Sequence, residues 1–157
     1  MATFSTRVRS GATVTAEVDA VWSALTDPDL LASFTPFLHT VRDEGVHWVW
    51  QLSRIPLLGS TFSFTFRERM HFQEPRHIAF SHDPAPGVPE AAGVDGWYAL
   101  EPLPDATRLE ASLEIRVDLP FPGVLRPAVT AAMKGVLAVM QQRFSHNLVT
   151  HLGARTI

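Results

Sequence analysis

The residue of greatest chemical interest in this sequence is an acid, Glu68, that stands among apolar neighbours. Every second residue from Phe62 to Phe72 is apolar apart from Glu68, which shares their phase. Period-two alternation predicts a strand with one buried face, so the Glu68 carboxyl is predicted to point into the protein. The apolar residues predicted on the same face are Phe62, Phe64, Phe66, Met70 and Phe72.

A histidine is predicted to lie directly opposite Glu68. The sequence around Pro75 is typical of a turn, and a second alternating segment follows it. A hairpin centred on Pro75 pairs Met70 with Phe80 and Glu68 with His82. This register keeps apolar side chains opposite apolar ones, which is what normally fixes the register of two strands.

Three interpretations of the Glu68–His82 pair are open. Inside an apolar pocket, the pair could orient a hydroxyl or carbonyl group of a ligand. It could also act as an acid–base pair in a cyclisation or dehydration, with Glu68 and His82 as the catalytic residues. The third interpretation is structural: an ion pair at the end of the sheet, or a β-bulge that turns Glu68 to solvent.

Other classes of reactive site find no support in the sequence. There is no cysteine, so disulfides, thiolate nucleophiles and Cys-ligated metal centres are excluded. The histidines show no HExxH or comparable spacing, and neither a nucleophile elbow nor a phosphate-binding glycine loop occurs. We therefore predict no metal and no cofactor. A net charge of −3 argues against a nucleic-acid-binding protein.

The elements that must position Glu68 and His82 are predicted to form a single domain, residues 1–157. Phe4–Thr15 is predicted as the first strand, followed by one short helix that ends at Thr26 and another over Asp29–Phe34. Further strands are predicted over Thr40–Glu44, His47–Leu52, Ser60–Gln73, His77–His82, Val94–Glu101 and Thr107–Leu119. A long helix, Val124–Leu152, follows the last strand.

The long helix is predicted to cover the apolar face of the sheet. Alternation over 107–119 is typical of an antiparallel sheet with one covered and one wet face, and the helix carries an apolar stripe that could cover it. Side chains from both layers would line any space left between them. The predicted lining residues are Trp50, Phe62, Phe64, Phe66, Glu68, Met70, Phe80, His82, Leu113, Ile115, Val129, Met133, Val136 and Met140.

Two segments resemble a known superfamily. Residues 18–28, VDAVWSALTDP, resemble the helix that opens members of the START-related, polyketide cyclase/dehydrase-like (SRPBCC) superfamily. Residues 97–108, WYALEPLPDATR, are similar to its penultimate hairpin. The order of elements resembles that superfamily over essentially the whole chain. The resemblance implies an α+β helix-grip fold, in which a curved antiparallel sheet of six to seven strands grips the C-terminal helix around a cavity.

The resemblance leaves three functions open, because members of this superfamily range from lipid and sterol carriers to aromatases and cyclases. The first is a carrier or sensor that binds a hydrophobic small molecule, such as a lipid or a polyketide-like compound, in the cavity. The second is a cyclase- or dehydratase-type enzyme that uses Glu68 and His82. The third is a module with a filled core that acts through a protein partner. An apolar lining with one polar pair favours the first.

Two loops are predicted to be mobile and to give access to the cavity. Asp83–Asp95 is rich in proline and glycine, whereas Ile55–Gly59 is apolar although it joins two strands. Leu57, Leu58 and Phe121 are candidates for transient contact with a membrane or a protein partner.

The sequence predicts a cytoplasmic protein without stable membrane insertion. The longest uninterrupted apolar stretch of the last helix, Gly135–Met140, is far shorter than the roughly 20 residues of a membrane span. The first residues lack the basic and apolar regions of a signal sequence.

Overall fold

The computed structural model describes residues 2–157 as seven strands and three α-helices. β1 (Ala2–Val14) leads into α1 (Val18–Leu25) and α2 (Pro28–Phe34). The next strands are β2 (Leu38–Asp43), β3 (His47–Leu57), β4 (Ser60–Gln73), β5 (His77–His82), β6 (Ala92–Leu103) and β7 (Ala106–Leu119). A 3-10 turn, Gly123–Leu125, precedes α3 (Arg126–Leu152). The strands form one antiparallel sheet in the order β1-β7-β6-β5-β4-β3-β2. This is the helix-grip fold that the resemblance implies.

The hairpin of β4 and β5 has the predicted register. Glu68 pairs with His82, and Met70 pairs with Phe80. Both strands begin and end at the predicted residues. The alternating apolar residues therefore identified the strands, their inner face and their pairing correctly.

The apolar segment 55–59 is the end of the β3–β4 hairpin, and its prediction as a loop is wrong. β3 continues to Leu57, beyond a register irregularity at which Arg54 has a positive φ of 59°. The turn consists of Leu58 and Gly59, which both have positive φ (49° and 81°), as in a type I′ hairpin. The irregularity shifts the alternation of inward and outward side chains in β3 by one residue. The part of β3 that follows it therefore does not continue the pattern of the part before it, and the sequence pattern did not predict it.

α1 and α2 cover the sheet beside α3. The Asp27 side chain caps α2 by accepting hydrogen bonds from the backbone N–H groups of Asp29 (3.0 Å) and Leu30 (3.2 Å). Pro28 lies in the first turn, where its missing N–H is not needed. The buried residues of α1 are Val21, Trp22, Ala24 and Leu25.

α3 lies across the inner face of the sheet and is buried against the core near both of its ends. Val129 and Met133 are buried near its start, and Leu148 is buried near its end. The Asn147 side chain donates a hydrogen bond to the carbonyl of Phe34 (2.8 Å), which fastens α3 to α2. The helix is therefore held at two separate places.

The segment Gly123–Leu152 is long and apolar enough to cross a membrane, with a mean hydropathy of 1.3 over 18 residues. A count of consecutive apolar residues does not reveal this, because small and polar residues separate the aliphatic ones. Length and composition are weak indications, since the mostly buried core helix of a soluble protein passes the same test; in this helix 11% of that 18-residue stretch is buried. Here the helix packs on the sheet through Val129, Met133 and Leu148.

The core consists of two groups of buried side chains. The first group lies beneath α1, α2 and the end of α3 and includes Trp22 and Met70. The second lies beneath the start of α3 and includes Phe4 and Phe66. The partly buried residues that contact both groups are Trp50, Leu52 and Val94.

Replacing Val129 with aspartate is expected to lower the free energy of unfolding by more than about 4 kcal/mol, because it would bury a charge without a partner. Val129 has no exposed surface. The matched control is Ala128→Asp, on the exposed side of the same turn, which is expected to change stability by less than about 0.5 kcal/mol. Urea unfolding followed by tryptophan fluorescence measures both. Equal stability of the two variants would contradict the packing of α3 on the sheet.

Candidate functional site

A cavity of about 270 Å³ lies between the sheet and α3, where the two groups of core residues meet. Its volume is just below the range of about 300–1,000 Å³ that is usual for ligand pockets. The wall is mostly apolar, with polar groups at a few positions. Such a cavity suits a small apolar molecule that carries a polar group.

Ten of the predicted lining residues line this cavity. They come from four strands (β3, β4, β5 and β7) and from α3, as expected if the sheet curves around the helix. These residues are Trp50, Phe64, Phe66, Glu68, Phe80, Leu113, Ile115, Met133, Val136 and Met140.

Four of the predicted lining residues lie elsewhere. Met70 and Val129 are buried in the first and second groups of core residues, respectively. Phe62 lies near the end of the hairpin and contacts Phe121 edge to face, with ring centroids 5.8 Å apart. His82 does not line the cavity, and its ring contacts Glu90 and Arg116 instead. Strand phase alone could not distinguish a residue that fills the core from one that borders the cavity.

The structure also changes the predicted contact surface at the hairpin tip. Leu57 is 4% exposed and lines the cavity, so it is not available for contact with a membrane or a partner. Leu58 is 43% exposed, and Phe121 is partly exposed.

Glu68 is the buried acid of the cavity wall, with 1% of its surface exposed. The interpretation that a bulge turns it to solvent is therefore wrong. Burial raises the pKa of Glu68 well above its ordinary value of 4.5, and the negative charges of Asp95 and Glu90 raise it further. All three causes act against the carboxylate, so they favour the neutral carboxylic acid. In that form the group can donate a hydrogen bond.

Two further polar groups lie in the cavity wall. Burial, with a smaller effect from the charge of Glu68, raises the pKa of Tyr98 to about 12, so its hydroxyl keeps its proton. The indole nitrogen of Trp50 is buried without a hydrogen-bond partner among residues 2–157. Tyr98 is not among the predicted lining residues, because the sequence of β6, with Gly93 and Gly96, leaves the side on which Tyr98 faces ambiguous.

His82 does not form the predicted pair with Glu68, although the two are opposite each other on neighbouring strands. Its Nε2 atom is 2.7 Å from Oε1 of Glu90, and its Nδ1 atom is 2.9 Å from Nη2 of Arg116. Its backbone N–H donates to Oδ1 of Asp95 at 2.8 Å. The register was predicted correctly, but Glu90 belongs to a loop whose position has no local pattern. The ring nitrogens of His82 are thus engaged by other side chains, and a joint acid–base role with Glu68 stays a prediction.

Arg116 fixes the tautomer of the His82 ring. A guanidinium only donates hydrogen bonds, so Nδ1 accepts one from Arg116 and carries no hydrogen itself. The ring hydrogen is then on Nε2 and is donated to Glu90. The His82 ring thus bridges the other two side chains. The ring fits here because residue 93 is glycine, and a Cβ atom there would collide with it.

The loop between β5 and β6 is anchored near both of its ends. Glu90 accepts a second hydrogen bond, from the backbone N–H of Arg67 (3.1 Å). Arg67 Nε donates to the carbonyl of Asp83 (2.7 Å), and the Asp83 carboxylate pairs with His47 (2.8 Å). These contacts do not support ligand entry through the loop, and they confine its predicted mobility to residues 84–89.

The exposed residues of the cavity wall, Gly11, Gln141 and Ser145, lie on β1 and α3, whereas Ile55 and Leu57 at the predicted hairpin entrance are buried. The geometry therefore favours a mouth between β1 and α3 over entry at the hairpin. The mouth residues are Ser10, Gly11, Ala12, Leu137, Gln141, Phe144 and Ser145.

The site can hold and polarise a ligand, but it lacks the ligands of a metal centre. Residues 2–157 contain no group of three or more His, Asp or Glu side chains that could hold a metal ion. The residues of the wall with polar side chains are Glu68, Tyr98, Trp50 and Thr35, together with Ser10, Gln141 and Ser145 on β1 and α3. Of these, the carboxyl is the one that can transfer a proton most easily.

Replacing Glu68 with glutamine tests the neutral state of the buried acid. A carboxyl whose pKa is raised by folding contributes its full stability below about pH 4.5, and this contribution falls as the pH rises towards the folded-state pKa. Between about pH 4.5 and the folded-state pKa of Glu68, the free energy of unfolding of Glu68→Gln is therefore expected to rise relative to wild type. The rise is at most about 1.4 kcal/mol per pH unit. Urea unfolding at several pH values above 4.5 measures this difference.

The control is Glu101→Gln, which neutralises an exposed acid on β6. Its stability relative to wild type is expected to vary little with pH over the same range. If the difference in unfolding free energy between wild type and Glu68→Gln also varies little with pH, position 68 does not hold a buried neutral carboxyl.

Replacing Glu90 with alanine is expected to loosen the loop between β5 and β6. The change removes two hydrogen bonds to a nearly buried carboxylate, at a cost of about 1.5–3 kcal/mol for a bond to a charged group. Hydrogen exchange should speed up at Arg67 and in residues 83–91 and remain unchanged in β7. Unchanged protection at Arg67, with Glu101→Ala as the control, would show that Glu90 does not anchor the loop.

A family model described as "Polyketide cyclase / dehydrase and lipid transport" matches residues 3–153. No curated protein matches the chain. Among solved structures, a START superfamily protein from Mycobacterium smegmatis is 16% identical, with a TM-score of 0.67 over 94% of this chain and 97% of that one. A conserved protein from Geobacillus kaustophilus is 17% identical, with a TM-score of 0.71 over 94% and 95%.

The Zhui aromatase/cyclase from Streptomyces sp. R1128 is 18% identical to this chain. Its TM-score is 0.64, over 95% of this chain and 94% of that one. At these identities, the likeness to the three solved structures concerns the fold.

Proposed function

The chain belongs to the polyketide cyclase/dehydrase and lipid transport family, and we propose that it is a binding protein for a hydrophobic small molecule. The observation that carries the proposal is the cavity of about 270 Å³ with one buried acid in its wall. The family supports a role in binding a hydrophobic ligand or in cyclase-type chemistry. Of these two roles we propose the first and specify it further: a carrier or sensor for a lipid-like or polyketide-like compound.

The apolar wall would supply most of the binding free energy. A ligand that buries about 200 Å² of apolar surface gains roughly 5 kcal/mol from leaving water. A single neutral hydrogen bond adds only about 1 kcal/mol net. Glu68 would therefore contribute more to the orientation of the ligand than to its affinity.

A cyclase-type enzyme is the second candidate, and the neutral Glu68 favours it. A carboxylic acid that keeps its proton above the ordinary carboxyl pKa can act as a general acid on a bound carbonyl. The Zhui protein, which shares the fold, is described as an aromatase/cyclase. Against this candidate, His82 is engaged by Glu90 and Arg116 and does not assist Glu68. A catalytic site needs several polar groups that converge on the substrate, whereas binding alone does not.

The observed cavity weighs against the third candidate, a module with a filled core that acts only through a protein partner. A cytoplasmic location without stable membrane insertion remains part of the proposal. It is supported by the packing of α3 on the sheet through Val129, Met133 and Leu148. Transient contact through Leu58 and Phe121 is supported only by their exposure.

Binding can be tested with N-phenyl-1-naphthylamine, a probe whose fluorescence increases in apolar sites. Wild type is expected to bind it, whereas Ala111→Trp should weaken binding at least about tenfold, because Ala111 lines the cavity and the larger ring would fill it. The control is Ala131→Trp, on the exposed side of α3. Native mass spectrometry of the purified protein tests in parallel for a co-purified apolar molecule. Equal binding by both variants would contradict the cavity as the binding site.

A further inference from the structure

The charges around the cavity suggest which polar group a ligand carries. We propose that the cavity selects ligands whose buried end is an uncharged hydrogen-bond acceptor, such as a ketone or ester carbonyl, and discriminates against carboxylates and ammonium groups. This inference rests on the proposed binding function and specifies the ligand class for the same cavity.

The first argument is the kind of polar group that the wall presents. The neutral Glu68 carboxyl, the Tyr98 hydroxyl and the Trp50 indole each have a hydrogen to donate. The Trp50 nitrogen is buried without a partner among residues 2–157, and a buried donor left unpaired is costly. A ligand acceptor is the group that these donors are able to satisfy.

The second argument is the negative field behind the wall. Asp95 and Glu90 are close enough to Glu68 for their charges to disfavour its ionised form. They would disfavour a ligand carboxylate at the same place for the same reason. The neighbouring cation, Arg116, is already engaged: it donates to His82, and His82 in turn donates to Glu90. An anionic ligand would therefore lose its hydration without gaining a cation.

The third argument concerns cations, for which an acidic cluster is at first sight attractive. Glu90 is already bonded to His82 and to the backbone of Arg67, and Asp95 is bonded to the backbone of His82. Only Glu68 could pair with a ligand ammonium group, and it would first have to lose its proton inside an apolar wall. The desolvation of both charges opposes that pair.

Four naphthalene probes of similar size test the inference. They are a ketone, 2-acetylnaphthalene; a hydrocarbon, 2-ethylnaphthalene; an anion, 2-naphthoate; and a cation, 1-(2-naphthyl)ethylammonium. The measurements are made at pH 6.5, where the acid and the amine are ionised in water. Titration calorimetry is expected to show that the ketone binds about five- to tenfold more tightly than the hydrocarbon, as one net hydrogen bond implies. Both ions are expected to bind at least about tenfold more weakly than the ketone.

Two substitutions at Glu68 separate the hydrogen bond from packing. Glu68→Gln keeps a donor and should retain the preference for the ketone. Glu68→Leu removes one of the three donors and should reduce the advantage of the ketone over the hydrocarbon, although Tyr98 and Trp50 can still donate. Glu90→Gln removes one of the negative charges and should raise the affinity for 2-naphthoate relative to the ketone. Glu101→Gln, six residues from Asp95 and about 20 Å along β6, should leave that ratio unchanged.

The outcomes distinguish this inference from the function on which it rests. If none of the four probes binds wild type, the proposed binding function fails. If the hydrocarbon binds but the ketone has no advantage, or if either ion binds as tightly as the ketone, the inference is wrong and the binding function stands. An unchanged preference for the ketone in Glu68→Leu would also overturn the role assigned to Glu68.

Discussion

The cavity depends on the way in which α3 is held to the sheet. The helix is buried near its start through Val129 and Met133 and near its end through Leu148. The hydrogen bond from Asn147 to Phe34 fixes the second end to α2. Between these places Val136, Leu137 and Met140 line the cavity. A helix fixed at both ends cannot settle onto the sheet, so the gap is part of the folded state.

A buried acid is compatible with this apolar wall because it does not need to be charged. The desolvation of a carboxylate would be very costly, whereas a neutral carboxyl costs only the desolvation of a polar group. Glu90 and Asp95, which bear on Glu68 through their charge, are bonded to His82. Contacts that anchor a surface loop therefore also influence the electrostatics inside the cavity.

The sequence predicted the fold more fully than the site, for physical reasons. Strand alternation and helix caps are local, so β4, β5 and α2 could be assigned almost residue by residue. The inward orientation of Glu68 and its register opposite His82 followed from the same local rules. The partner of His82 could not be derived, because Glu90 lies in an irregular loop with no periodicity. The position of Tyr98 was ambiguous because two glycines interrupt the pattern of β6. The cavity mouth depends on the gap between β1 and α3, which no stretch of sequence encodes by itself.

The position of the mouth has a consequence for how such a protein can diverge. The residues around it, among them Gly11, Gln141 and Ser145, are exposed and lie outside both groups of core side chains. Substitutions at exposed positions of this kind usually change stability by less than about 0.5 kcal/mol. The rim can therefore accumulate changes that alter what enters, while the two buried ends of α3 keep the frame intact. Ligand choice and folding stability are thereby placed under largely separate selection.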